Sequence, residues 1–84
     1  MGLGDEMRQR LRDAFAPDSL EVVDESEAHR GHGGWREGGG THWRVVMRAE
    51  ALRGMGRLAR HRAVHAALGP EVMGRLHALA LDLG

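Results

Sequence analysis

Six histidines in 84 residues, with no cysteine anywhere in the chain, set the chemistry open to this sequence. A neutral imidazole ligates transition metals through either ring nitrogen, and its proton comes and goes near neutral pH. His29 and His32 form a His-x-x-His pair in one glycine-rich stretch, His42 opens a run of alternating polar and apolar residues, and His77 opens another. One reading is a zinc site drawn from His29, His32, His42 and His77; the other is that the loop histidines are solvated and hold nothing. Without cysteine the chain has no disulfide, no thiolate ligand and no thiol nucleophile, so any soft-metal site must take its sulfur from a partner. His61 falls in or beside the apolar stripe of a helical segment, between Leu58 and Val64, and reads as a partly buried core histidine rather than a ligand. His65 is assigned no role.

Every basic residue is an arginine. Arg57, Arg60 and Arg62 flank His61, and with Arg44, Arg48 and Arg53 they offer a basic surface for phosphates; a solvated charged face is the plainer explanation. The formal net charge is zero, which excludes a polyelectrolyte binder. The charge is nonetheless segregated: Asp5 to Glu27 holds eight acids against three Arg, and Arg44 to Arg62 holds six Arg against Glu50 alone. One end of the surface is therefore expected to be acidic and the other basic. Phe15, Trp35 and Trp43 are the only aromatics, too few for a base-stacking platform. No stretch fits a P-loop, a dinucleotide fingerprint or a GxxG clamp. Ser19 and Ser26 lie outside any nucleophile elbow and there is no H-E-x-x-H pair, so a non-enzymatic protein is expected.

The elements that must position these residues are few. Asp5 to Ala16 places Met7, Leu11, Ala14 and Phe15 along one helical stripe, with Asp5 as the expected cap and Pro17 ending the helix. Leu20 to Glu25 reads as a short strand with Leu20 and Val22 on its apolar face. Residues 26–40 lose apolar periodicity and carry six Gly, and a loop of that length is expected to be functional or disordered. Thr41 to Arg48 alternates, with Trp43, Val45 and Met47 on one face. Leu58 to Leu68 reads as a helix with Leu58, His61, Val64, His65 and Leu68 along one side; Gly69-Pro70 stops it, and Pro70 starts a further turn through Met73. Leu76 to Leu83 reads as a last strand. A helical crossover makes the last two strands parallel, which predicts an α+β domain over residues 1–84 with a three-stranded mixed sheet covered by helices on one face. The charged N-terminal segment and the lack of a long apolar run lead to the expectation of a soluble, cytoplasmic protein without a membrane span.

Four segments carry a resemblance. Asp24-Glu25-Ser26-Glu27-Ala28-His29, Thr41-His42-Trp43-Arg44-Val45, Arg60-His61-Arg62-Ala63-Val64-His65-Ala66-Ala67-Leu68 and His77-Ala78-Leu79-Ala80-Leu81 closely resemble the BolA family in order and spacing, over nearly the whole chain. The resemblance implies an αββαβ fold similar to class II KH domains, with a variable loop between the first two strands. It also implies a complex with a monothiol glutaredoxin that holds a bridging 2Fe-2S cluster. Carried over by position, the loop ligand is His29, with His32 as its possible substitute, and the C-terminal ligand is His77; the glutaredoxin cysteine and glutathione supply the sulfur. No cofactor is expected in the isolated chain, and a homodimer is left open. Trp43 stands where the family usually has Phe. Other members are described as DNA-binding transcriptional regulators of morphology and stress responses, which by resemblance places DNA on the surface of Arg57, Arg60 and Arg62.

Overall fold

The structure, a computed structural model, describes residues 2–26 and 42–84. Its elements in chain order are α1 (Leu3–Phe15), β1 (Ser19–Asp24), β2 (His42–Arg48), α2 (Glu50–Arg53), α3 (Arg57–Arg75) and β3 (Ala78–Leu83). His29, His32 and nearly all of the glycine-rich loop lie outside the described residues. The expected α+β order is present, with α2 as an additional short helix between β2 and α3 in a stretch that the sequence pattern assigns to no element.

α1 starts earlier than Asp5. Gly2 occupies the cap position without a side-chain hydrogen bond, and Asp5 and Glu6 sit in the first turn, where carboxylates meet the positive end of the helix dipole. Met7 and Leu11, four residues apart, are fully buried. The helix stops because Ala16 turns left-handed at φ 44°, its N–H donating to the Arg12 carbonyl at 2.9 Å, and Pro17 follows.

The sheet order is β1-β2-β3, with β1 antiparallel and β3 parallel to β2. The alternation of β2 holds: Trp43, Val45 and Met47 are buried. Register sets Val22 opposite Val45 and Val45 opposite Leu81, so Leu20, Val22, Leu79, Leu81 and Leu83 share that apolar face. Met7 and Leu11 of α1, Leu52 of α2 and Val64, Leu68 and Val72 of α3 complete the core over it. The opposite face carries Arg44, Arg48 and Asp82, with Arg48 bridging Asp82 at 3.0 Å. Among the described residues no helix is long and apolar enough to cross a membrane.

The buried line of α3 differs from expectation. It is Val64, Leu68 and Val72, whereas Leu58 is 63% exposed and His65 is exposed. Leu58 lies six residues before Val64, about 120° away around the helix, so the two cannot share one narrow stripe. The break at Gly69 is present as predicted, at φ 82° and ψ 162°, and the helix resumes at Pro70.

Candidate functional site at the head of the third strand

The parallel register pairs His42 with Ala78, so residue 77, just before β3, lies beside the start of β2. The imidazoles of His42 and His77 have centroids 5.2 Å apart at an interplanar angle of 58°. His42 is buried at 6% exposure, and His77 is exposed. One ring is thus fixed in the wall and the other stands at the surface against it. The parallel pairing expected for the last two strands is what brings the two rings together.

Residues that the sequence reading gave no role hold this corner in place. Asp24 Oδ1 accepts from the Ser26 backbone N–H at 2.9 Å and from the Ser26 hydroxyl, and the Ser26 Oγ accepts from the His42 N–H at 3.2 Å. The Glu25 N–H donates to the His42 carbonyl at 2.7 Å. Ser26 is 1% exposed, so its hydroxyl is committed to this clamp. The only signal in the sequence is the local Asp-x-Ser spacing of an Asx turn. Of the four histidines considered for zinc, the described residues bring together His42 and His77. Among those residues no three His, Cys, Asp or Glu side chains group closely enough to hold a metal ion.

A groove of about 480 Å³ runs along β3, walled by Leu81 and Leu83 and by Arg57, Arg60 and His61 of α3, with Arg44 reaching in from β2. His61 is half-buried, as expected, but it lines this groove beside the core cluster rather than lying within it. Arg60 has a structural commitment. Its Nε donates to the Leu52 carbonyl at 2.9 Å and its Nη1 to the Leu83 carbonyl at 3.2 Å, tying α2, α3 and the end of β3 together. Arg57 and Arg62 are exposed and make no ion pair among the described residues. Arg44 is bonded to Glu25 at 3.0 Å, and this carboxylate pushes the guanidinium pKa up.

The expected split into an acidic and a basic end is only partly realised. β1 lies antiparallel beside β2, so acids of the first segment meet arginines of the second: Glu25 pairs with Arg44 and Asp18 with Arg53. What remains basic is the N-terminal part of α3, through Arg57 and Arg62.

Residues 11–84 match the BolA-like protein family. Human BolA-like protein 1 is 40% identical over 76 residues, which are 90% of this chain and 53% of the human protein, so the chain spans about half the length of that relative. The Escherichia coli DNA-binding transcriptional regulator BolA is 37% identical over 96% of this chain and 73% of its own length. Among solved structures, the BolA domain of SufE1 from Arabidopsis thaliana superposes with a TM-score of 0.82 at 31% identity, covering 99% of this chain and 91% of that one.

Proposed function

This chain belongs to the BolA-like protein family, and from that premise we propose that it is a non-enzymatic adaptor in iron-sulfur cluster handling or iron sensing, binding a monothiol glutaredoxin and sharing a 2Fe-2S cluster with it. The observation that carries the reading is the exposed His77 imidazole set against the buried ring of His42. The donor set fits such a cluster. The chain offers imidazole and no thiolate, so His77 and a loop histidine, His29 or its substitute His32, would supply nitrogen ligands while the glutaredoxin cysteine and glutathione supply sulfur. Bound there, the cluster would supply one-electron chemistry at a potential raised by histidine ligation. The chain's own part is to hold His77 outward. The His42 ring packs against that of His77, and the Asp24-Ser26 clamp holds the His42 backbone.

The test mixes the protein with a cluster-loaded monothiol glutaredoxin and follows visible absorption and circular dichroism. The spectrum should change with wild type and stay unchanged with the His29→Ala, His77→Ala double variant. No change with wild type, or the same change with the double variant, overturns the reading.

A second reading, DNA binding, is favoured by Arg57 and Arg62, which are exposed and make no ion pair among the described residues, and by the name of the Escherichia coli relative. It predicts duplex retention at low salt that falls as salt rises and weakens in the Arg57→Ala, Arg62→Ala variant, with His77 indifferent. Arg60 is left out of that variant because its guanidinium serves two backbone carbonyls. Lack of retention at low salt overturns it.

A further inference from the structure

The sheet has two free edges, and α1 and α3 treat them alike. Gly84 donates to the Met47 carbonyl and accepts from the Ala49 N–H, both at 3.0 Å. In a parallel ladder, alternate residues direct both backbone polar groups to the same neighbour. Asp82, Ala80 and Ala78 therefore face β2 with Gly84, whereas Leu79, Leu81 and Leu83 direct their N–H and C=O groups away from the sheet. Arg60 takes the outward carbonyl of Leu83, and on the other edge Arg8 takes the carbonyl of Val22 at 3.1 Å. Each overlying helix thus caps one edge carbonyl, a common way of blunting an open strand. On β3 the N–H and C=O of Leu79 and Leu81 and the N–H of Leu83 have no partner among the described residues, and the groove runs beside Leu81 and Leu83.

We propose that this groove receives an extended, acidic segment of a partner protein, which adds to β3 as a further strand. Main-chain pairing with Leu79 and Leu81 would supply affinity, and side-chain charge would supply selection. The charge comes from Arg57, which has no acid among the described residues; Arg44 beside it is already bonded to Glu25 at 3.0 Å. The single acid in the lining, Asp82, is already bridged to Arg48 at 3.0 Å. A second copy of this chain is the poorer occupant, because pairing β3 with β3 brings two copies of Arg57 together. A segment seated on this edge would begin or end beside His77. The proposal does not depend on cluster binding, and its test contains no cluster.

The probe is an eight-residue peptide of alternating Glu and Val, added to the full-length 15N-labelled protein. Shifts are expected at the amides of Leu79, Leu81 and Leu83, with slowed hydrogen exchange at Leu79 and Leu81. Arg57→Glu, a change at an exposed position, should weaken binding ~fivefold or more, and a Lys/Val peptide should not bind. Unmoved edge amides overturn the proposal, as does equal binding of the Lys/Val peptide. Shifts of the same amides on raising protein concentration without peptide would assign the edge to a second copy and overturn it. A response to duplex DNA but not to the peptide would assign the groove to nucleic acid, with the same result.

Discussion

Trp43 lies against the first turn of α1, and a glycine makes the approach possible. A Cβ added at Gly4 would come within 3.1 Å of Trp43 Cζ3 and 3.2 Å of Cη2, and the indole is only 7% exposed, so it has little room to yield. The indole N–H is buried without a hydrogen-bond partner among the described residues, which costs about 1–3 kcal/mol. Gly4→Ala therefore sets a gain of about 1 kcal/mol in helix propensity against an overpacking cost of about 1–3 kcal/mol. It should lower the urea midpoint. Phenylalanine at position 43 lacks the two clashing carbons and the orphan N–H. Trp43→Phe should therefore be close to neutral, and in that background Gly4→Ala should become neutral or stabilising. A coupling of about 1 kcal/mol or more in the double-mutant cycle is the expected result; additive effects would mean that α1 simply shifts to relieve the contact. The alternation of β2 gave the direction of Trp43 from sequence, but not the proximity of Gly4, because that depends on where α1 crosses the sheet.

At the scale of elements, the break in α3 was legible and the helix's rotation was not. Gly69-Pro70 announces itself chemically: proline removes an N–H and sterically blocks a helical conformation at the residue before it. Gly69 answers with φ 82° and ψ 162°, a region that residues with a Cβ avoid. Gly69→Ala should therefore cost about 1–3 kcal/mol although no atom crowds the new methyl closely; its nearest neighbour would be Arg10 Nη1 at 3.5 Å. Gly74 is the internal control. It lies in the last helical turn with open space around it, so Gly74→Ala should stabilise by up to about 1 kcal/mol. Chemical denaturation of the two variants should give opposite shifts, and equal shifts would show that backbone conformation is not the deciding factor. The rotation escaped because a stripe begun at Leu58 runs through His61 to Val64, whereas the buried series Val64, Leu68 and Val72 extends back by four residues to the polar Arg60. Arg60 faces inward all the same, because its guanidinium finds two carbonyl oxygens to donate to. The candidate site divides in the same way. The neighbourhood of His77 and β2 followed from the crossover rule, whereas the Asp24-Ser26-His42 clamp depends on hydrogen bonds between distant parts of the chain that composition and periodicity do not encode.

For the whole molecule, charge that is segregated along the sequence is partly reunited by the fold, and long-range ion pairs mark where. Arg75 at the end of α3 meets Glu6 in the first turn of α1, 69 residues away in sequence. The hydrogen bond from Arg75 holds the Glu6 carboxyl below its usual 4.5, with the charges of Arg75 and Arg10 acting in the same direction against some desolvation. A carboxylate whose pKa is depressed in the folded state binds fewer protons there than in the unfolded chain. Its contribution is complete above the unfolded value near 4.5 and is lost as pH falls through the lower folded value. Glu6→Gln should therefore lower Tm relative to wild type at pH 7, and the gap should close as both proteins are taken below pH 4 towards acid. Arg75→Gln should reproduce part of the pattern, since the Arg10 pair with Glu6 remains, and adding it to Glu6→Gln should change little further. Because the pair is exposed, about 0.5 M salt should also narrow the gap at pH 7. A gap that persists unchanged into acid would mean that Glu6 acts through packing rather than through its charge.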